Sequence, residues 1–156
     1  MSEAELILVN DGVNCTMYTI QFTAEADSEF ERFYAKFKTQ LEYNEDFEHI
    51  LNILGRIGDF GALERYFRPE GRLKDRVCAL PVLKSRLRLY CLRLSDKILI
   101  LGNGGIKNTR TYNEDEELKG YVLTLQKFDR LLKEGMDDGT IKVTEKTIET
   151  DKMFEI

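Results

Sequence analysis

The chain carries a single histidine, His49, in 156 residues, and that scarcity removes whole classes of chemistry at once. A Ser-His-Asp triad or a His-based metal site needs imidazole converging with other groups, and His49 sits among acidic neighbours in a stretch with helical spacing. Cysteine is also sparse. Cys15, Cys78 and Cys91 are odd in number, widely spaced and lack a CxxC pair, so neither a disulfide framework nor a thiolate metal site is encoded. They read as small buried hydrophobes in a reduced compartment. No apolar run approaches the roughly 18 to 20 residues of a membrane span, and Glu3 and Glu5 stand where a signal peptide would be basic. The sequence therefore predicts a cytoplasmic protein with no membrane partner, working without metal or cofactor.

What is present is enough for one domain. A chain of this length with 42% hydrophobic residues supports a single core and is short for two. The expected division is one domain over residues 1–135, followed by a C-terminal extension, 136–156, that is either an added strand or a mobile tail. The net charge of −5 hides a strong asymmetry. Residues 1–50 hold 3 Lys/Arg against 11 Asp/Glu, residues 51–112 hold 13 against 5, and residues 113–156 hold 7 against 12. A basic block between acidic ends is expected when one surface must hold phosphates and the rest must not.

Periodicity places the elements. Residues 5–9 and 17–22 alternate as two strands joined by an Asp11-Gly12 turn. From Ala24 the spacing becomes helical, with Phe30, Phe33, Phe37 and Leu41 in one stripe. A second helix starts near Asn44, with Phe47, Ile50, Leu51 and Leu54 inward, and is broken or frayed at Gly55, Gly58 and Gly61. Residues 77–83, 87–94 and 97–101 then read as a three-stranded meander, followed by a Gly-rich turn at 102–105. Alternation sets Arg86, Arg88, Tyr90 and Leu92 on one face of the middle strand, and Leu87, Leu89, Cys91 and Arg93 on the other. A last helix, 113–134, has an acidic first turn and an apolar stripe at Leu118, Val122, Leu125 and Leu132.

Several familiar chemistries fail on spacing. The acidic clusters at 25–31 and 114–117 lie at consecutive helical positions that point apart, so they do not converge on a magnesium ion. The run Gly102-Asn103-Gly104-Gly105-Ile106-Lys107 follows a strand but lacks the GxxxxGK[ST] spacing and the surrounding βαβ unit of a phosphate-binding loop. What remains is Arg86, Arg88, Lys107 and Arg110, with Lys84, Arg93, Arg72, Lys74 and Arg76 nearby and Tyr90 on the same strand face. Cations on adjacent strands suit a phosphodiester backbone, and a tyrosine can stack on an unpaired base. Such cations can stabilise the transition state of 2′-hydroxyl attack on phosphate without a metal.

The order of these elements, together with Arg88-Leu89-Tyr90 on a strand, the apolar strand Lys97-Ile98-Leu99-Ile100-Leu101 and the segment Ile106-Lys107-Asn108-Thr109-Arg110-Thr111 before a helix, resembles the RelE/ParE toxin superfamily. The similarity is nearest to its HigB-like and phage-derived branch and covers roughly residues 17–134. The resemblance implies an α+β fold in which an N-terminal helical hairpin packs on a mainly antiparallel sheet with a C-terminal helix. It implies the toxin of a type II toxin–antitoxin system, a metal-independent, ribosome-dependent endoribonuclease whose partners are messenger RNA, the ribosome and a cognate antitoxin. Carried over, Arg88, Lys107 and Arg110 are the catalytic candidates, and Lys84, Arg86, Tyr90 and Arg93 the RNA-binding ones. The histidine that the family often carries after its last strand is absent here, where Gly102 and Asn103 stand. The alternatives are a non-nucleolytic binder of the same fold, either a ParE-like gyrase inhibitor or an inactive relative bound to its antitoxin, and a protein whose acidic ends recruit a partner while the basic block is only solvated.

Overall fold

The computed structural model describes residues 2–69, 76–81, 84–108 and 115–156. Its elements run β1 (Glu3–Asp11), β2 (Thr16–Phe22), α1 (Glu29–Phe37), α2 (Asn44–Phe60), β3 (Arg68–Pro69), β4 (Val77–Leu80), β5 (Leu87–Ser95), β6 (Ile98–Ile106), α3 (Glu116–Asp138), β7 (Lys142–Val143), β8 (Ile148–Glu149) and β9 (Phe154–Glu155). Single 3-10 turns lie at Leu41–Tyr43 and Glu64–Tyr66. One seven-stranded sheet has the order β3-β4-β5-β6-β2-β1-β9, and β7 and β8 form a separate ribbon.

The architecture is α+β, but the expected RelE-like arrangement, with a helical hairpin at the N-terminus, is overturned. The chain opens on a strand hairpin, β1 and β2, and this hairpin is built into the sheet. Thr16 to Thr19 of β2 pair in parallel with Ile98 to Leu101 of β6, so α1 and α2 form a connection between strands of one sheet. The chain also continues past α3, and β9 adds a short strand at the sheet edge by pairing with Glu3 and Ala4. Period-2 alternation marks a strand but not its partner, and the β2–β6 pairing joins residues about eighty positions apart.

Both faces of the sheet are covered. On one, Phe33, Phe37, Phe47, Ile50, Leu54 and Ile57 of α1 and α2 bury against Leu87, Leu89, Cys91, Leu99 and Leu101. On the other, Leu118, Val122, Leu125, Phe128 and Leu132 of α3 bury against Tyr18, Ile20, Tyr90, Leu92, Ile98 and Ile100. A strand buried on both faces reads as a continuous apolar run, as Leu89 to Leu92 of β5 and Ile98 to Leu101 of β6 do.

Local chemistry sets the helix ends. Helix α1 starts at Glu29 rather than near Ala24 because Ser28 forms a capping box: its Oγ accepts from the Glu31 N–H (3.2 Å), and its own N–H donates to Glu31 Oε1 (3.0 Å). Helix α2 passes intact through Gly55 and Gly58, and stops at Gly61, whose φ of 107° lies in the region open to glycine. The expected Gly-rich turn at 102–105 is instead the second half of β6. Gly104 is needed there because a Cβ would lie 1.9 Å from the Arg88 carbonyl oxygen on β5. Among the described residues, no helix is long and apolar enough to cross a membrane.

Candidate functional site

An open groove of about 740 Å³ lies where the start of α2 meets the β5–β6 ladder. It is lined by Glu42, Tyr43, Asp46, Arg68, Lys84, Ser85, Arg86, Arg88 and Lys107. Five cationic side chains and two carboxylates thus line it, which leaves an excess of positive charge. The N-terminus of α2 adds the positive end of its dipole.

Strand pairing assembles the cations. Leu87 sits opposite Ile106 and Arg88 opposite Gly105, and one residue further on the Lys107 N–H donates to the Arg86 carbonyl at 2.7 Å. Arg86 and Lys107 are therefore neighbours across the end of the ladder, although twenty-one positions separate them in sequence. The Arg86 guanidinium donates to Asn108 Oδ1, which orients it over the same end. Lys84 is exposed on the loop before β5.

The other expected site residues fall elsewhere. Arg88 is 6% exposed, and its Nη1 donates to the carbonyls of Ser85 and Leu87, the latter at 3.0 Å, so it braces the loop on the groove wall. Tyr90 is fully buried under α3 and presents no ring face to a base. Alternation does set Tyr90 and Leu92 on the α3 side of β5 and Leu87, Leu89 and Cys91 on the α1–α2 side, but Arg86 and Arg88 line the groove beside the start of α2 instead. Arg93 lies at the far end of β5, where Nε donates to the Ala62 carbonyl (2.6 Å) and the guanidinium pairs with Asp96 and with Glu64 (3.6 Å). Arg76 is held by Asp129, with Nε to Oδ1 at 3.1 Å. Arg110, Arg72 and Lys74 lie outside the described residues.

Sequence reasoning missed Glu42, Tyr43, Asp46 and Arg68. The first three stand in the acidic third of the chain, around the start of the second helix. Nothing in their spacing links them to strand residues forty positions later. Tyr43 is half-buried, edge-on to Phe37 with ring centroids 6.2 Å apart, so its ring is fixed at the rim.

A second polar cluster ties α1 to β6 and α3. Lys36 Nζ donates to the Gly104 carbonyl (3.1 Å), Glu117 Oε1 (3.2 Å) and the Tyr121 hydroxyl oxygen (3.3 Å), and the Tyr121 hydroxyl donates to Glu117 at 2.7 Å. The Tyr121 hydroxyl holds the Glu117 carboxyl below its ordinary range, with Lys36 acting in the same direction. Burial first, then the bond to Glu117, raises Tyr121. These groups satisfy one another, and the cluster acts as a structural clamp.

The one histidine, His49, is not among the residues that line the groove. Among the described residues, no group of three or more His, Cys, Asp or Glu side chains is placed to hold a metal ion. What the groove offers is dense positive charge beside two carboxylates and a phenol, the components of phosphate binding with acid–base capacity. Comparison with protein families, curated proteins and solved structures found no match for this chain.

Proposed function

We propose that this chain is the toxin of a type II toxin–antitoxin pair, a metal-independent endoribonuclease acting on messenger RNA at the ribosome and restrained by a cognate antitoxin. The observation that carries the reading is the groove that gathers Lys84, Arg86, Arg88 and Lys107 beside Glu42 and Asp46. The residue order of the strand and the Lys107-Asn108-Thr109-Arg110 segment, which resembles the RelE/ParE toxins, supplies the choice of RNA over other polyanions.

In this scheme a carboxylate of Glu42 or Asp46 accepts the 2′-hydroxyl proton, and the 2′-oxygen attacks the adjacent phosphorus. The bond from phosphorus to the 5′-oxygen breaks, leaving a 2′,3′-cyclic phosphate and a 5′-hydroxyl. Lys107 gives a proton to the departing oxygen, and Arg86 stabilises the added charge on the phosphoryl oxygens. The two carboxylates take the place of the missing histidine as base. Arg88 keeps the wall of the groove in position.

The test is primer extension on messenger RNA held in translating ribosomes. New cuts by the wild type that disappear with Lys107→Ala, and with Glu42→Gln combined with Asp46→Asn, are the expected outcome. Affinity for single-stranded RNA should also fall with salt with a log–log slope of about −3 for four phosphate contacts, and a flat response would remove RNA from the account. The buried Arg88 guanidinium favours a second reading, a non-nucleolytic binder such as a ParE-like gyrase inhibitor or an inactive relative. Growth arrest that persists without cuts, and survives Lys107→Ala, would select it.

A further inference from the structure

Among the described residues that line the cationic groove, Tyr43 is the only aromatic one, in company with Arg68, Lys84, Arg86 and Lys107. Its backbone is tied on both sides. The Tyr43 N–H donates to the Gln40 carbonyl at 3.1 Å, and the next residue, Asn44, donates to the Leu41 carbonyl. The ring rests on Phe37 of α1, with centroids 6.2 Å apart and the two planes at 88°. Perpendicular rings touch edge to face, so Phe37 covers at most one face of Tyr43. The side chain is half-buried, and among the described residues no second ring packs on it. A tyrosine held in this way has little rotational freedom left to lose when a flat ligand lies against it.

We propose that Tyr43 is the platform on which an unpaired base of the bound strand stacks, which makes the groove a single-strand site; the choice of RNA rests on the proposed ribonuclease function. A base in a duplex has both faces covered by its neighbours, whereas an unpaired base offers a face to a fixed aromatic ring. Cations alone would take duplex and single strand alike, through phosphate contacts that carry no information about the base. The ring supplies what they lack. Tyr43 thus takes the part that alternation assigned to Tyr90, whose ring is buried under α3. Every base has a π face, so stacking tolerates any sequence, and Tyr43 selects for unpaired structure rather than for one base. The groove, at about 740 Å³, falls within the roughly 300–1,000 Å³ of small-molecule sites, which suits a single nucleotide.

The test is binding of a short single-stranded RNA with 2′-O-methyl riboses, which lacks the attacking hydroxyl and stays intact. Tyr43→Phe should bind it as the wild type does, and Tyr43→Ala roughly tenfold more weakly, the usual scale of one lost stack. The salt dependence of Tyr43→Ala should match the wild type, because the ring touches no phosphate, whereas Lys107→Ala should make the log–log slope shallower by about one. The chain has no tryptophan, so Tyr43→Trp provides a single fluorophore. Its emission should be quenched by this strand and not by an abasic strand with the same number of phosphates. Wild-type affinity in Tyr43→Ala, or equal quenching by the abasic strand, overturns the proposal, and the Tyr43→Trp result decides it if Tyr43→Ala fails to fold. Stacking without cuts in translating ribosomes would remove the nuclease and leave the platform standing, whereas a wild type that binds no RNA removes both.

Discussion

Two glutamates at the start of α1 respond to the fold in opposite directions. Burial raises the Glu29 carboxyl, and the nearby Arg32 guanidinium at 3.0 Å only partly offsets this. The hydrogen bonds from Ser28 lower Glu31. A raised acid costs stability above its folded value, and the cost fades as pH falls toward the value in the unfolded chain, about 4.3 for glutamate. A lowered acid contributes stability above its unfolded value and loses it as pH falls through the folded one. Glu29→Gln is therefore expected to raise the urea midpoint at pH 7, with the gain shrinking near pH 4. Glu31→Gln should lower the midpoint at pH 7, with the loss shrinking in acid. Urea titrations at the two pH values check both signs.

At the scale of elements, a glycine within α2 and one packed against it have opposite duties. Gly55 is exposed, and a Cβ there would meet nothing within 4 Å. Gly55→Ala is expected to stabilise the protein by about 0.5–1 kcal/mol, the ordinary helix-interior difference. At Gly12, in the β1–β2 turn, a Cβ would lie 2.5 Å from the Gly58 carbonyl oxygen and 2.7 Å from the Gly58 Cα. That same carbonyl accepts from the Asn14 N–H at 2.9 Å, so the turn is seated directly on the helix. Gly12→Ala must push the turn and helix backbones away from each other and should lower the thermal midpoint, whereas Gly55→Ala raises it. Opposite signs in one calorimetry series check both. The three glycines of α2 and its end look alike in sequence, and only the neighbouring turn distinguishes them.

At the scale of the molecule, the chain beyond α3 belongs to the α3-side core. Ile141, Ile148, Phe154 and Ile156 are buried there, and Phe154 meets Phe128 with ring centroids 4.8 Å apart. Phe154→Ala is expected to cost about 3–5 kcal/mol, the usual range for a large aromatic removed from a core, and chemical denaturation measures it. If the segment contributed nothing, the midpoint would not move.

Local pattern in the sequence determined the main helices and strands but not their ends, since residues 102–105 are strand and α2 runs through Gly55. The phenylalanine stripe of α1, the apolar stripe of α3, the meander and the basic character of residues 51–112 all follow from spacing within a few turns or strands. It also brought Arg86 and Lys107 to notice, because both flank strands of one meander. Tertiary structure alone decided which strand pairs with β2, that α3 covers Tyr90, that Arg93 is spent on Asp96, and that Glu42 and Asp46 line one groove with the arginines. The physical reason is distance along the chain. Periodicity records which face of an element is apolar, while the identity of what lies against that face depends on contacts between residues tens of positions apart, which no local pattern encodes.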